Sequence, residues 1–156
     1  MLTDYVVIDL EMTGLNAKTD RILEAGAARV RGNVVTATFS EIINPKRELS
    51  EKVISLTGIT NEMAVQGKEM DATLMAFLDF IGEDILVGQN VIFDYSFLKQ
   101  WAVNHKRTFE RNAVDTLKLA RKFLPQEQKK DLASLCSYFG IERVHAHRAL
   151  DDVMET

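Results

Sequence analysis

The stretch that decides the fold is Tyr5-Val6-Val7-Ile8-Asp9-Leu10-Glu11, an apolar run that ends in two acids. Its aromatic and β-branched residues predict a buried strand over 4–11. Residues i and i+2 of a strand point to the same face and lie roughly 6.6 Å apart along it. Asp9 and Glu11 would therefore repel each other unless a positive group lies between them. A divalent metal is the simplest group of that kind.

The composition indicates one soluble globular domain. The chain has 156 residues, of which 46% are hydrophobic and 27% are charged. The single cysteine, Cys136, excludes an internal disulfide and is typical of a reducing compartment. No apolar run approaches the roughly 20 residues of a membrane helix, and the first residues lack the features of a signal peptide. We therefore expect a cytoplasmic protein with no membrane partner.

The net charge of −4 argues against a broad basic surface for nucleic acid. It does not exclude an enzyme that contacts only a few phosphates. Acids that are grouped to bind a metal would themselves make the total negative.

The hydrophobic pattern predicts a β-meander followed by alternating helices and strands, which is an α/β domain with a mixed sheet. The predicted strands are 4–11, 22–31, 34–43, 85–88 and a short strand that ends near 114. The predicted helices are 49–57, 61–66, 71–81, 91–104, 116–123, 131–139 and one from about 148 onward. Sites in such sheets gather at the carboxyl ends of the strands, where Asp9, Glu11, Gln89 and Asn90 lie.

Asp94 lies in the middle of the apolar face of its predicted helix, a face formed by Phe93, Phe97, Leu98 and Trp101. A buried carboxylate without a partner is costly, and when Asp94 is taken together with Asp9 and Glu11 this position favours a bound cation. The alternative is an acid of the first helical turn that the helix dipole favours, with Asn90 as the N-cap. We interpret Phe93 and Phe97 as core residues, whereas Tyr95 is compatible with core packing or with base stacking.

A third group of chemical residues lies at 145–152, where a histidine precedes two carboxylates by about one turn. Taken alone, this segment is typical of an exposed histidine before an acidic first helical turn. Helical geometry does not choose between Asp151 and Asp152, because both acids flank the face that Leu150, Val153 and Met154 present to the core.

Three separated segments together resemble one family, the DEDDh 3′→5′ exonucleases. They are Val7-Ile8-Asp9-Leu10-Glu11-Met12-Thr13-Gly14-Leu15, then Asn90-Val91-Ile92-Phe93-Asp94-Tyr95-Ser96-Phe97-Leu98, then His147 with Asp152 five positions later. The intervening segments 44–45, 56–60 and 115–121 are similar as well. Within the family, the chain looks most like the proofreading exonuclease domains of bacterial DNA polymerase III, of the epsilon-subunit and PolC types. Each motif is weak alone, but the three in this order are specific.

The resemblance implies a ribonuclease H-like fold with a mixed five-stranded sheet flanked by helices. It also implies a set of site residues. The ligands of two divalent cations, Mg²⁺ or Mn²⁺, would be Asp9, Glu11, Asp94 and Asp152, with His147 as the general base. The family spacing selects Asp152 over Asp151 and leaves His145 outside the site. Substrate contacts are expected at Met12, Thr13 and Asn90.

The implied activity is metal-dependent hydrolysis of the 3′-terminal phosphodiester of single-stranded DNA, which releases nucleoside 5′-monophosphates. Proofreading beside a DNA polymerase is one expected role. Residues 9–15 also resemble oligoribonuclease, so activity on short RNA is an alternative. A non-catalytic module that binds a polymerase is a further alternative, which the complete set of five site residues disfavours.

We expect residues 1–156 to form a single exonuclease domain whose last helix is short or cut short. A short helix would hold Asp152 less firmly and lower the affinity for metal. Three polar residues near strand ends have no assigned role in the motifs. We expect Glu24 to be buried and hydrogen-bonded, Asp115 to cap a helix or support the site, and Gln89 to lie behind the site.

Overall fold

Five strands form one mixed sheet in the part of the chain that the computed structural model describes, residues 2–143 and 147–156. They are β1 (Tyr5–Met12), β2 (Ile22–Arg31), β3 (Val34–Ile42), β4 (Leu86–Gly88) and β5 (Ala113–Asp115). The order across the sheet is β3-β2-β1-β4-β5. The first three strands pair antiparallel, and β4 joins β1 and β5 in parallel. The predicted α/β class with a mixed sheet is confirmed.

The helices flank this sheet and begin and end within two residues of the predicted positions. They are α1 (Glu51–Thr57), α2 (Asn61–Gln66), α3 (Met70–Ile81), α4 (Ile92–Asn104), α5 (Thr116–Phe123), α6 (Leu132–Phe139) and α7 (Ala149–Glu155). Several starts are fixed by side chains that accept a backbone N–H, which is the usual role of an N-cap. These caps are Ser50, Thr60, Glu69, Asp115 and Asp131. None of the helices in the described segments is long and apolar enough to span a bilayer.

The two faces of the central strand β1 carry different partners, because successive side chains alternate between faces. Val6, Ile8 and Leu10 are buried with residues of α3 and α4 in the main core. Val7 packs on the opposite face with Val153 of α7. Asp9 and Glu11 share the parity of Val7, so both carboxylates point to the side of the sheet that α7 covers.

Candidate metal centre at the carboxyl end of β1

Asp94 reaches the end of β1 because β4 stops before β1 does. The last paired residues of these strands are Val7 and Val87, and β4 ends at Gly88. Beyond that point the N–H of Leu10 donates to the Asp94 carboxylate, with 2.8 Å between N and Oδ1. The first turn of α4 thus supplies the acceptor that a longer β4 would have supplied. Asp94 is buried, with 5% of its surface exposed.

The turn before α4 is fixed by Asp115 at the end of β5. Asn90 has a φ of 58°, a left-handed conformation that asparagine adopts more easily than most residues. Its N–H donates to Oδ1 of Asp115 at 3.0 Å, and the same oxygen accepts the N–H of Leu117 and caps α5. The prediction that Asp115 caps a helix is confirmed. The interpretation of Asn90 as the N-cap of α4 is wrong, because Val91 occupies that position without a side-chain bond.

The start of α7 is attached to β2 by a buried carboxylate. Glu24 lies opposite Glu11 in the β1–β2 register and is 1% exposed. It accepts the N–H of Ala149 at 3.0 Å and the guanidinium of Arg148 at 2.8 Å. Gly26 makes the approach possible, because a Cβ there would lie 2.5 Å from the carbonyl carbon of Ala149. The prediction that Glu24 is buried and hydrogen-bonded is confirmed.

This attachment brings the third predicted segment to the end of β1. One ligand atom from each of Glu11, His147 and Asp152 lies within 4.8 Å of the other two, and these three residues form a group able to hold a metal ion. His147 is exposed and has a φ of 60°, whereas Asp152 is 7% exposed. Asp151 does not belong to this group. His145, which the motif leaves outside the site, lies outside the described residues.

The carboxylates at the end of β1 raise one another's pKa values. Burial raises the pKa of Asp9 well above its ordinary value, and the charges of Asp94, Glu11 and Asp152 raise it further. Burial raises the pKa of Glu11 to about 8, and the charges of Asp152 and Glu24 contribute to this rise. Burial also raises the pKa of Asp94 to about 7, although the N–H of Leu10 opposes the rise. A cation would reverse all of these shifts, so the donor set fits a hard divalent ion.

One arginine that sequence reasoning missed lies beside the cluster. Arg143 contacts Asp152 with 2.6 Å between Nη2 and Oδ1, and it contacts the buried Glu155 with 2.5 Å between Nε and Oε2. Burial raises the pKa of Asp152, and the charge of Arg143 opposes that rise. Arg143 belongs to no helix or strand and shares no periodicity with α7, so the sequence carries no signal for this pairing.

The predicted substrate residues adjoin the carboxylates along the chain. Met12 is half-buried and packs against the main core. The Thr13 hydroxyl donates to Asp20 at 3.2 Å and accepts the N–H of Arg21 at 2.9 Å, so it closes the loop after β1. Their contact with substrate, like that of Asn90, stays a prediction.

Gln89 and Tyr95 are engaged within the protein. The Gln89 side chain accepts the hydroxyl of Thr116 at 2.6 Å and donates to the carbonyl of Lys130 at 2.8 Å. The Tyr95 hydroxyl accepts the N–H of Arg111 at 3.2 Å, which favours the structural interpretation over base stacking.

Of the two phenylalanines assigned to the core, Phe97 is confirmed there, with 3% of its surface exposed. Phe93 was also assigned to the core, but it is only half-buried. It lies in the first turn of α4, beside Asp94.

A mixed five-stranded sheet with acids at the end of its central strand defines a ribonuclease H-like nuclease fold. A family model described as Exonuclease matches residues 6–156. The chain belongs to this exonuclease family.

Two curated relatives have similar sequences. The DNA polymerase III subunit epsilon of Aquifex aeolicus is 37% identical over 153 residues, which cover 97% of this chain and 76% of that protein. The DNA polymerase III PolC-type of Bacillus subtilis is 38% identical over 157 residues, which cover 97% of this chain. The chain spans only 11% of the length of that polymerase.

One similar solved structure is the zinc-bound form of an E. coli exonuclease I–single-stranded DNA complex. Its TM-score is 0.84 at 19% identity, and the match covers 99% of this chain and 39% of that one. At this identity the likeness shows the fold.

Proposed function

We propose that the protein is a metal-dependent 3′→5′ exonuclease that acts on single-stranded DNA and releases nucleoside 5′-monophosphates, with residues 1–156 as one exonuclease domain. The observation that carries this proposal is the convergence of Glu11, His147 and Asp152 within 4.8 Å. The three residues come from the two ends of the chain. A purely structural role does not explain why acids gather at a buried strand end.

The ligands would be Asp9, Glu11, Asp94 and Asp152. Their hard carboxylate oxygens suit Mg²⁺ or Mn²⁺, and four acids are enough for two ions. When bound, such ions activate a water molecule and stabilise the charge that develops on phosphate oxygens.

The chain's own contribution to proton transfer would come from His147. An imidazole accepts a proton near neutral pH, and an exposed position lets it exchange that proton with solvent. We infer that it takes the proton of the attacking water. Met12, at the end of β1, and Thr13 and Asn90, in the loops that follow β1 and β4, would contact the terminal nucleotide.

Similar proteins support a particular substrate and partner for this chain. The zinc-bound exonuclease I was solved with single-stranded DNA, and two relatives are DNA polymerase III components. We therefore propose a single-stranded 3′ end as substrate, a DNA polymerase as partner and proofreading as the role. Short RNA is the alternative substrate, because residues 9–15 also resemble oligoribonuclease.

The test uses single-stranded DNA labelled at its 5′ end, incubated with purified protein and Mg²⁺ or Mn²⁺. We expect a ladder of shortened products and release of mononucleotides, with no reaction in EDTA. With DNA in excess over enzyme, His147→Ala and Asp94→Ala should each abolish the ladder, because each removes a proposed site group. His105→Ala is the matched control. His105 lies at the far end of α4, so its replacement should leave nuclease activity unchanged.

Each outcome has a defined meaning. If the wild-type protein is inactive but still binds a polymerase, the proposal is wrong and the protein is a non-catalytic binding module. If RNA of two to five nucleotides is hydrolysed faster than single-stranded DNA, short RNA is the substrate in place of DNA. Full activity of His147→Ala would remove the assigned role of that residue.

A further inference from the structure

Glu24 is a buried acid that the proposed chemistry does not use, and its carboxylate is fully occupied. Oε1 accepts Nη2 of Arg148 at 2.8 Å, and Oε2 accepts the N–H of Ala149 at 3.0 Å. Nε of Arg148 lies 3.2 Å from both oxygens. The carboxylate is thus engaged by a bidentate guanidinium and an amide, and it is not available as a metal ligand.

The partners of Glu24 connect directly to the proposed general base. Arg148 follows His147, and Ala149 is the first residue of α7. Arg148 occupies the N-cap position of α7 without a side-chain cap bond, so Glu24 supplies the missing acceptor from another strand. His147 has a left-handed φ of 60° immediately before this anchor, a conformation that surrounding contacts must maintain.

The position of Glu24 carries a cost that packing alone does not explain. It lies opposite Glu11 in the β1–β2 register and is 1% exposed, so it places another buried carboxylate beside the acids of the metal centre. A neutral side chain would fill the same space without adding negative charge to a cluster that already repels itself. The acid is explained if the Arg148 guanidinium must be held in one orientation.

We propose that Glu24 is a positioning residue that, through Arg148 and the N–H of Ala149, fixes the turn presenting His147 to the metal centre. This inference rests on the proposed function, because it assigns His147 as the group whose position matters. Glu24 itself contacts neither substrate nor metal. Its effect on catalysis passes through His147.

Glu24→Gln isolates the charged contact, because glutamine keeps the volume and can still accept the N–H of Ala149. We expect kcat to fall about 10–100-fold, as for other residues that orient an active-site group. KM for DNA should change little, whereas the melting temperature should fall because a buried ion pair is weakened, so rates are measured at a temperature where the variant is folded. Asp84→Asn is the matched control, since it weakens another arginine pair, Arg31–Asp84 at 2.6 Å, away from the site.

The decisive measurement repeats Glu24→Gln in a His147→Ala background, with excess enzyme so that slow turnover is measurable. If Glu24 acts through His147, the second substitution should cause no further loss, since residues that act as a unit are not additive. A merely structural role would lower the rate by the same factor in both backgrounds. That result, or an unchanged kcat in the single variant, would overturn the proposal.

A second readout does not depend on catalysis. The imidazole resonances of His147, assigned by comparison with His147→Ala, should shift in Glu24→Gln and stay in place in Asp84→Asn. If the wild-type protein shows no nuclease activity but the resonances shift as expected, the proposed function fails and the positioning role stands. Unchanged resonances in Glu24→Gln would refute the positioning role whatever the activity.

Discussion

The charge on Glu11 should limit the stability of the metal-free protein, so Glu11→Gln should stabilise it at alkaline pH. The folded protein raises the pKa of Glu11 from 4.5 to about 8, mainly through burial and the charge of Asp152. Below pH 4.5 both the folded and the unfolded chain hold the proton. Between pH 4.5 and 8 the folded chain keeps the proton that the unfolded chain loses, so stability falls as pH rises.

The magnitude follows from the size of the rise. A change in pKa from 4.5 to about 8 corresponds to about 5 kcal/mol. Glu11 is partly exposed, and solvent screening reduces the effect to about 2–3 kcal/mol. For a protein of this size that corresponds to roughly 5–10 °C in melting temperature. Glutamine cannot ionise, so Glu11→Gln should recover this amount at pH 8 and almost nothing at pH 4.

The assay is thermal unfolding followed by circular dichroism at pH 4, 6 and 8, in EDTA and in MnCl₂. In EDTA, Glu11→Gln should melt above the wild type at pH 8. Saturating Mn²⁺ should reverse that order, because a ligand at 1,000 times its dissociation constant stabilises the wild type by about 4.1 kcal/mol, which exceeds the amount that glutamine recovers. Glu127→Gln, at an exposed acid, is the control and should change neither curve.

The reasoning would be refuted if Glu11→Gln were no more stable than the wild type at pH 8 in EDTA. It would also be refuted if Mn²⁺ stabilised both proteins equally, because Glu11 would then contribute nothing to the cation site.

Two further substitutions test the elements that place the site, and a third tests the His105–Asp71 pair at the far end of α4. Gly26→Ala puts a methyl group 2.5 Å from the α7 backbone, so melting temperature and nuclease activity should both fall, as unfolding and single-turnover assays would show. His105 should stabilise the fold at low pH, because the carbonyl of Trp101 and then Asp71 raise its pKa above 6.5. That stabilisation is complete below pH 6.5 and is lost as pH rises through the raised pKa, so the melting difference between wild type and His105→Gln should shrink as the pH rises above 6.5. Asp115→Ala removes the α5 cap and the bond to the turn before α4, so urea unfolding should show a loss of about 1–2 kcal/mol.

The elements were predictable because their signals are local. Strand β2 was predicted at its observed bounds from its small apolar residues and the Gly32-Asn33 turn. Helix α5 begins where Asp115 can cap it, and this too is readable along the chain. Where the observed bounds of an element differ from the predicted ones, the difference is one or two residues. At those positions the helix cap or strand end depends on residues elsewhere in the chain.

The burial of Asp94 was also predictable, but its partner was not. An acid within an apolar stripe indicates that something compensates for its burial. The sequence does not show that β4 stops short of β1 and leaves the N–H of Leu10 available. That contact joins residues 84 positions apart, and it depends on the relative lengths of two strands.

The contact of Gly26 with α7 was likewise not predictable from the sequence. A glycine within a strand interior indicates either a weak point or a close approach by another backbone. Only the fold shows that the approaching backbone is that of Ala149, from the other end of the chain. The residue that allows α7 to reach the sheet therefore carries no sequence signal that links it to α7.

Arg143 changes the expectation that a short last helix would hold Asp152 loosely. Asp152 and Glu155 lie three positions apart on one side of α7, and a single guanidinium from outside the helix contacts both. The arginine thus restrains the Asp152 side chain and the turn of α7 that carries it. Because its charge also opposes the rise in the pKa of Asp152, it favours the ionised carboxylate that a metal requires. The position of this carboxylate therefore depends on a loop arginine as well as on the helix that carries it.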